Sequence, residues 1–186
     1  MANRSISITQ TFLKECVHYD PIKGSFRWRR RPLRHFVDGK YPATTICASW
    51  NKKFQGAFAG GRDFKGYINI KINGVLYKAH RLAWLYMTGK WPIAQIDHKD
   101  GDKKNNAWAN LREATNGQNQ MNLPVKRNNT SGVKGVSWDK NTRRWRARIT
   151  AGGVCFTIGY FREKKDAAAA YTAAAQNRHG EFRFSP

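Results

Sequence analysis

Acidic side chains are scarce in this sequence. Among its 186 residues, 12 Asp and Glu face 34 Lys and Arg, for a formal net charge of +22. That imbalance disfavours acidic or neutral partners and points to a polyanion, nucleic acid first. A solvated basic surface of the ribosomal type is the plainer alternative. Cysteine is rare too: Cys16, Cys47 and Cys155 are an odd number and form no C-x-x-C pair. Neither a disulfide framework nor a zinc knuckle is supported, and reduced thiols fit a cytoplasmic setting. Long apolar runs are missing. Residues 167–175 form the longest weakly apolar stretch, which contains Tyr171 and Thr172 and is far too short for a bilayer. No signal-peptide core is visible, so a soluble protein without membrane association is expected. What the chain does have is aromatic side chains, 24 in all, and a 40% hydrophobic content, which supports a packed core and argues against disorder. Its length suits one ordinary domain or two small ones.

The positive charge is spread along the chain, at +8 over residues 1–60, +5 over 61–123 and +9 over 124–186. The first stretch reads as a short helix through Phe12, Leu13 and Val17, opened at Thr9 or Thr11 and closed by Pro21. The run Phe26-Arg27-Trp28-Arg29-Arg30-Arg31-Pro32 follows. Its alternation fits a strand with one cationic face, on which Arg27, Arg29 and Arg30 would lie along phosphates. A solvated edge strand kept soluble by charge explains it equally. Residues 67–78 read as a β-hairpin turning at Asn73-Gly74, with Lys71 and Lys78 as further candidate DNA contacts. Residues 79–88 then show helical spacing, with Gly89 as the left-handed stop. Periodicity fails around residues 123–132, read as a linker over 124–131.

The densest chemistry lies in Ile96-Asp97-His98-Lys99-Asp100-Gly101-Asp102, Asn105-Asn106, Asn110-Leu111-Arg112-Glu113-Ala114-Thr115 and Asn119. A short strand ending at Asp97-His98, a polar loop, a second strand over 110–114 and a helix capped by Thr115 would bring Asp97, His98 and Asn119 towards one point. These residue types suit phosphodiester hydrolysis. An imidazole accepts the proton of an attacking water at neutral pH. A hard cation stabilises the departing 3′-oxygen, and one carboxylate (Asp97) with one amide oxygen (Asn119) suits Mg²⁺. Asn110 can tie the loop backbone and hold His98 in orientation. A plain turn and a self-satisfied Asn-rich loop account for the same residues without chemistry.

Together with Ala79-His80-Arg81-Leu82-Ala83-Trp84 and Gln118-Asn119, this stretch resembles the HNH endonucleases, in their phage and intron-associated homing branch. The resemblance implies a ββα-metal fold with one divalent cation per active site. His98 would be the general base, Asp97 and Asn119 metal ligands, and Asn110 the structural middle residue of the motif. Asn stands at 119 where many HNH enzymes have His, which favours Mg²⁺ or Mn²⁺ over zinc, and no structural zinc is expected. His80 is read as packing or as a backbone hydrogen-bond partner rather than as catalytic.

Residues 132–186 read as three short antiparallel strands (132–138, 144–150, 154–158) with a turn at Gly152-Gly153, then an Ala-rich helix from Glu163 to Arg178 ending at Gly180. Trp145, Ala147 and Ile149 share one sheet face, and Arg146, Arg148 and Thr150 the other. The strings Gly132-Val133-Lys134-Gly135-Val136-Ser137-Trp138, Trp145-Arg146-Ala147-Arg148-Ile149, Gly159-Tyr160-Phe161 and Gly180-Glu181-Phe182 are similar to the AP2 DNA-binding domain. By that similarity Lys134, Val136, Trp138, Arg146, Arg148 and Thr150 would face the groove of duplex DNA. A generic basic sheet would show the same periodicity.

The expected architecture is α+β, with a basic DNA-contacting segment (1–60), an HNH nuclease domain (61–123), the linker and an AP2-like reader (132–186). The expected function is that of a site-recognising endonuclease acting as a monomer on double-stranded DNA in the cytoplasm, a bacterial host's if phage-encoded. The alternative is a non-catalytic, sequence-specific DNA-binding regulator on the same scaffold. An RNA-binding protein finds no RRM- or KH-type motif to support it.

Overall fold

The structure is a computed structural model and describes residues 8–122, 125, 128–151 and 153–179. Leu123, Pro124, Lys126 and Arg127 of the expected linker region, the turn residue Gly152 and the stretch from Gly180 onward lie outside the described residues. The chain forms two compact units. One comprises the chain through His98 with Asp102–Glu113, and the other Lys99–Gly101 with the chain from Ala114 onward.

The first unit opens with α1 (Gln10–Cys16), where the Thr9 hydroxyl accepts the Phe12 amide at 3.2 Å. The expected helix stops one residue short of Val17, which begins an unforeseen hairpin of β1 (Val17–Asp20) and β2 (Ser25–Trp28). Asp20 Oδ1 accepts the amides of Ile22 and Lys23 in its turn. The predicted arginine strand therefore ends at Trp28, with Arg29 and Arg30 beyond it and Arg31 buried. Next come α2 (Ala43–Phe54), β3 (Gly61–Arg62), β4 (Ile68–Ile72) and β5 (Val75–Lys78), the last three forming one antiparallel sheet. Asn73 at φ 48° and Gly74 at φ 82° make the expected tight turn. The helix α3 (Ala79–Thr88) ends on Gly89, left-handed at φ 78°. Then follow β6 (Gln95–His98), a 3₁₀ turn over Trp108–Asn110 and β7 (Leu111–Ala114), hydrogen-bonded to β6.

One apolar core serves this whole unit. Leu13, Val17, Tyr19 and Phe26 from the first thirty residues pack with Ile70, Ile72, Leu82 and Leu85. Each such aliphatic side chain, fully buried, contributes about 1.5–3 kcal/mol. The first sixty residues are thus part of the body that carries the hairpin and α3.

The second unit holds α4 (Asn116–Met121) and an antiparallel meander of β8 (Val136–Asp139), β9 (Arg144–Ala151) and β10 (Val154–Phe161), with β9 central. The helix α5 (Lys164–His179) packs on it around a small core of Val136, Ala147 and Ala167. At Gly135, φ 72°, a Cβ would come within 2.2 Å of the Tyr171 ring, so the α5 tyrosine can lie directly on the backbone.

Candidate active site

Asp97 and His98 end β6 and are both buried. The Asp97 carboxylate is held from the neighbouring strand: Arg112 Nε and Nη2 donate to Asp97 Oδ2 at 3.0 and 2.8 Å. Arg112 is itself only 8% exposed, so a desolvated ion pair fixes the carboxylate in place.

His98 Nε2 lies 3.2 Å from the side-chain oxygen of Asn106, a residue 1% exposed. The Asn106 amide nitrogen donates to the Lys104 carbonyl at 3.0 Å, which sets the orientation of the carboxamide. Its oxygen can only accept, so a neutral His98 carries its proton on Nε2 and its lone pair on Nδ1. Asn106 is anchored in turn by the Tyr19 hydroxyl, which donates to its carbonyl at 2.7 Å. The Trp108 amide donates to Pro21 O at 2.8 Å. Gly24, φ 66°, closes the β1–β2 turn against the same loop, where a Cβ would approach Ala107 N to 2.2 Å. Asn110 Nδ2 donates to Asn105 O at 2.8 Å, so its amide ties the loop backbone, while Asn106 is the residue that orients His98.

His80 packs edge-on to His98 with ring centroids 5.1 Å apart, and Tyr67 lies near both. His80 Nδ1 is buried and has no hydrogen-bond partner among the described residues. Burial, then the charges of His98, Arg81 and Lys78, pull its pKa down to about 3, so at neutral pH it is an uncharged wall of the site.

Asn119 sits on α4 in the second unit. There Thr115 and Gln118 form a capping box: Gln118 Oε1 accepts the Thr115 amide at 2.8 Å and Thr115 Oγ1 accepts the Gln118 amide at 3.3 Å. Among the described residues no group of three or more His, Cys, Asp or Glu is placed to hold a metal. An aspartate carboxylate with an asparagine oxygen fits a hard cation that takes few protein ligands and completes its shell with water and phosphate.

Arg112 and Asn106 are the site residues to which the sequence assigns no role, although both stand inside the quoted motif. For Arg112 there is a signal, a charged residue on the strand paired with the Asp97 strand. Asn106 has none, being one asparagine among several in the loop.

Several candidate DNA contacts are already committed within the protein. Arg27 Nη1 donates to Gly56 O at 2.8 Å and its guanidinium stacks 3.9 Å from the Phe58 ring. Arg29 donates to Lys14 O at 3.2 Å, while Arg30 and Lys71 are exposed. The Lys78 ammonium is paired with Asp63 Oδ2 at 2.5 Å.

On the second unit's sheet the register pairs Val136 with Ala147, Ser137 with Arg146 and Trp138 with Trp145. Directly opposed residues share a face, so the outward residue of β8 is Ser137. Val136 is therefore core, at 3% exposure, and Trp138 leans on Trp145 at 5.3 Å on the helix side, although half exposed. Lys134 precedes β8 and is half-buried. Val136 and Trp138 thus lie on the helix side of the sheet and not on its outward face. Arg148 and Thr150 are exposed, whereas Arg146 pairs with Asp139 at 3.3 Å.

Residues 77–121 match the HNH endonuclease family. The chain is 42% identical to Protein 3.8 of Escherichia phage T7 over 81 residues, covering 41% of this chain and 67% of that protein. It therefore belongs to the family of that phage protein, and its matched segment is an HNH endonuclease domain. An uncharacterized HNH endonuclease of Acanthamoeba polyphaga mimivirus is 32% identical over 105 residues, 55% of this chain and 54% of that protein. The structure of the HNH homing endonuclease I-HmuI, solved for DNA binding and cleavage, is 20% identical with a TM-score of 0.38, over 88% of this chain and 84% of that one. Among the described residues no helix is long and apolar enough to cross a membrane.

Proposed function

We propose that the protein is a site-recognising, homing-type DNA endonuclease that hydrolyses a phosphodiester bond with a histidine general base and one divalent cation, Mg²⁺ or Mn²⁺. The observation that carries this reading is the buried His98, held by Asn106, next in sequence to an Asp97 pinned by Arg112. Nδ1 takes a proton from water as the water oxygen attacks phosphorus, and the bond to the 3′-oxygen breaks. Asn106 keeps the ring from turning, and the Arg112 ion pair keeps Asp97 aimed. HNH nucleases generally depend on a divalent metal. By motif order Asp97 and Asn119 would hold it from this chain, and it would supply charge stabilisation at the departing oxygen. Asn110 maintains the loop. Residues 61–123 cut, residues 132–186 read the duplex in the AP2 manner through Arg148, Thr150 and Arg146, and Arg30 and Lys71 grip phosphates. One such centre holds one scissile phosphate, so a monomer nicks.

His98→Ala tests the reading. Cutting of duplex DNA in Mg²⁺ should fall at least 10²–10⁴-fold, roughly the contribution of a general base, while duplex affinity stays near that of the unaltered protein. Equal cleavage by the variant removes the assigned base. An unaltered protein that binds duplex but cuts neither strand with Mg²⁺ or Mn²⁺ is a regulator.

A further inference from the structure

Away from His98, the first unit carries a groove of about 740 Å³ bounded by α2 and the β3–β5 sheet, a size typical of small-ligand sites. Three aromatic rings, Trp28, Trp50 and Phe54, and three cations, Arg31, Arg62 and Lys71, line it. Trp50 stands edge-on to Trp28 at 5.3 Å and tilted against Phe54 at 5.1 Å, and all three rings keep part of their surface exposed.

The groove's charge is one-sided. Asp63, also in its wall, accepts hydrogen bonds from Lys78, Asn69 and the amides of Lys65 and Tyr67, which pull its pKa far down and use up its acceptor capacity. Arg31 is only 6% exposed, yet among the described residues it pairs with no carboxylate. Its Nε donates to His35 Nδ1 at 3.2 Å and its Nη2 to Asn73 Oδ1 at 2.7 Å, and its guanidinium lies 5.2 Å from the Trp50 ring. Glu15 reaches it only through His35, and Glu15 is itself paired with Arg34. A guanidinium does not deprotonate, and burying one without an anion is unfavourable. The fold therefore holds an uncancelled positive charge against aromatic rings.

A free inorganic anion would have no use for the rings. A closed duplex hides its base faces and would leave them unused as well. An unstacked nucleotide offers both features, a π-face and a phosphate. We propose that this groove takes one unstacked deoxynucleotide of a DNA strand, its base against Trp28, Trp50 and Phe54 and its phosphate against Arg31, Arg62 and Lys71. The proposal rests on DNA being the partner and adds that this unit holds a strand where it is open.

The test uses the full chain and two probes, a fluorescein-labelled 12-mer oligodeoxythymidylate and the matching dA·dT duplex. Trp50→Ala should weaken single-strand binding about 5- to 140-fold, the usual contribution of one stacked base. Because that ring also packs on Trp28, the exposed Arg62→Glu serves as an independent variant, and it should weaken the single strand more than the duplex. A 4-thiothymidine strand should photo-cross-link to Trp28, Trp50 or Phe54. Cross-links elsewhere, or equal losses on both probes from Arg62→Glu, overturn the proposal. The two readings also fail differently. Duplex cutting that persists without single-strand binding sinks the groove alone. Single-strand binding without duplex cutting sinks the nuclease and leaves the groove standing.

Discussion

Polar groups are handled in opposite ways around His98 and on the outer face of the β8–β10 sheet. In the first region every named side chain has a buried neighbour: Asp97 has Arg112, His98 has Asn106, and Asn106 has Tyr19. On the sheet, Arg148 and Thr150 are exposed above a core of a few small residues. The contrast follows from the work proposed for each. Proton transfer needs a ring held within tenths of an ångström, which only packed partners supply. Recognition of a long polyanion tolerates mobile cations and draws on their number. Arg146 falls between the two, since it faces outward but is tethered to Asp139.

The comparison breaks most visibly in salt. If roughly 6–10 phosphates are neutralised, duplex affinity should fall about 10³–10⁵-fold between about 50 and 200 mM salt, read by anisotropy. A flat response would mean that the exposed cations are not the grip.

Replacing Arg112 with Gln leaves the buried Asp97 without its ion pair and should destabilise the first unit by about 3–5 kcal/mol in chemical denaturation. A loss under about 1 kcal/mol would put Arg112 with the weakly coupled surface charges. On the sheet, Arg148→Ala should relax site choice by about 1–3 kcal/mol per lost base contact. Arg146→Ala should do less to the cleavage pattern, because Asp139 already engages that guanidinium. Equal effects would erase the distinction between exposed and tethered arginines.

A further effect depends on pH and concerns His80. Its native pKa of about 3 lies below the ordinary 6.5, so on acidification the unfolded chain takes up a proton that the folded ring resists. This contribution to stability is complete above pH ~6.5 and is lost as the pH falls towards about 3, at up to ~1.4 kcal/mol per pH unit. His80→Gln should flatten that part of the profile, measured by urea unfolding at several pH values. An unchanged slope would show that the ring titrates freely.

Local signals were legible wherever one residue type dictates backbone geometry. Asn73-Gly74 marked the hairpin, Gly89 the end of α3 and Thr115 the start of α4. The helix α2 was missed because β-branched Thr44 and Thr45 open it without a side-chain N-cap, although Ile46, Trp50 and Phe54 recur at helical spacing. The arginine run misled because alternation shows which residues share a face but not where pairing stops, and Arg31 turns inward. Val136 and Trp138 were misplaced for a related reason. Which face a strand residue takes depends on its partner's register, a long-range fact that no short window contains. At the site, the motif picked out Asp97, His98, Asn110 and Asn119, but not the Arg112 pairing or the Asn106 hydrogen bond, which arise only when strand and loop meet in space.

The β1–β2 turn, with Gly24 seated on the Asn106–Ala107 backbone and Tyr19 bonded to Asn106, makes the cutting motif a poor candidate for transplantation. A fragment trimmed to begin near residue 61 would keep every letter of the signature and lose the floor under its histidine loop. Anyone grafting this blade onto another handle would have to carry the first thirty residues along with it.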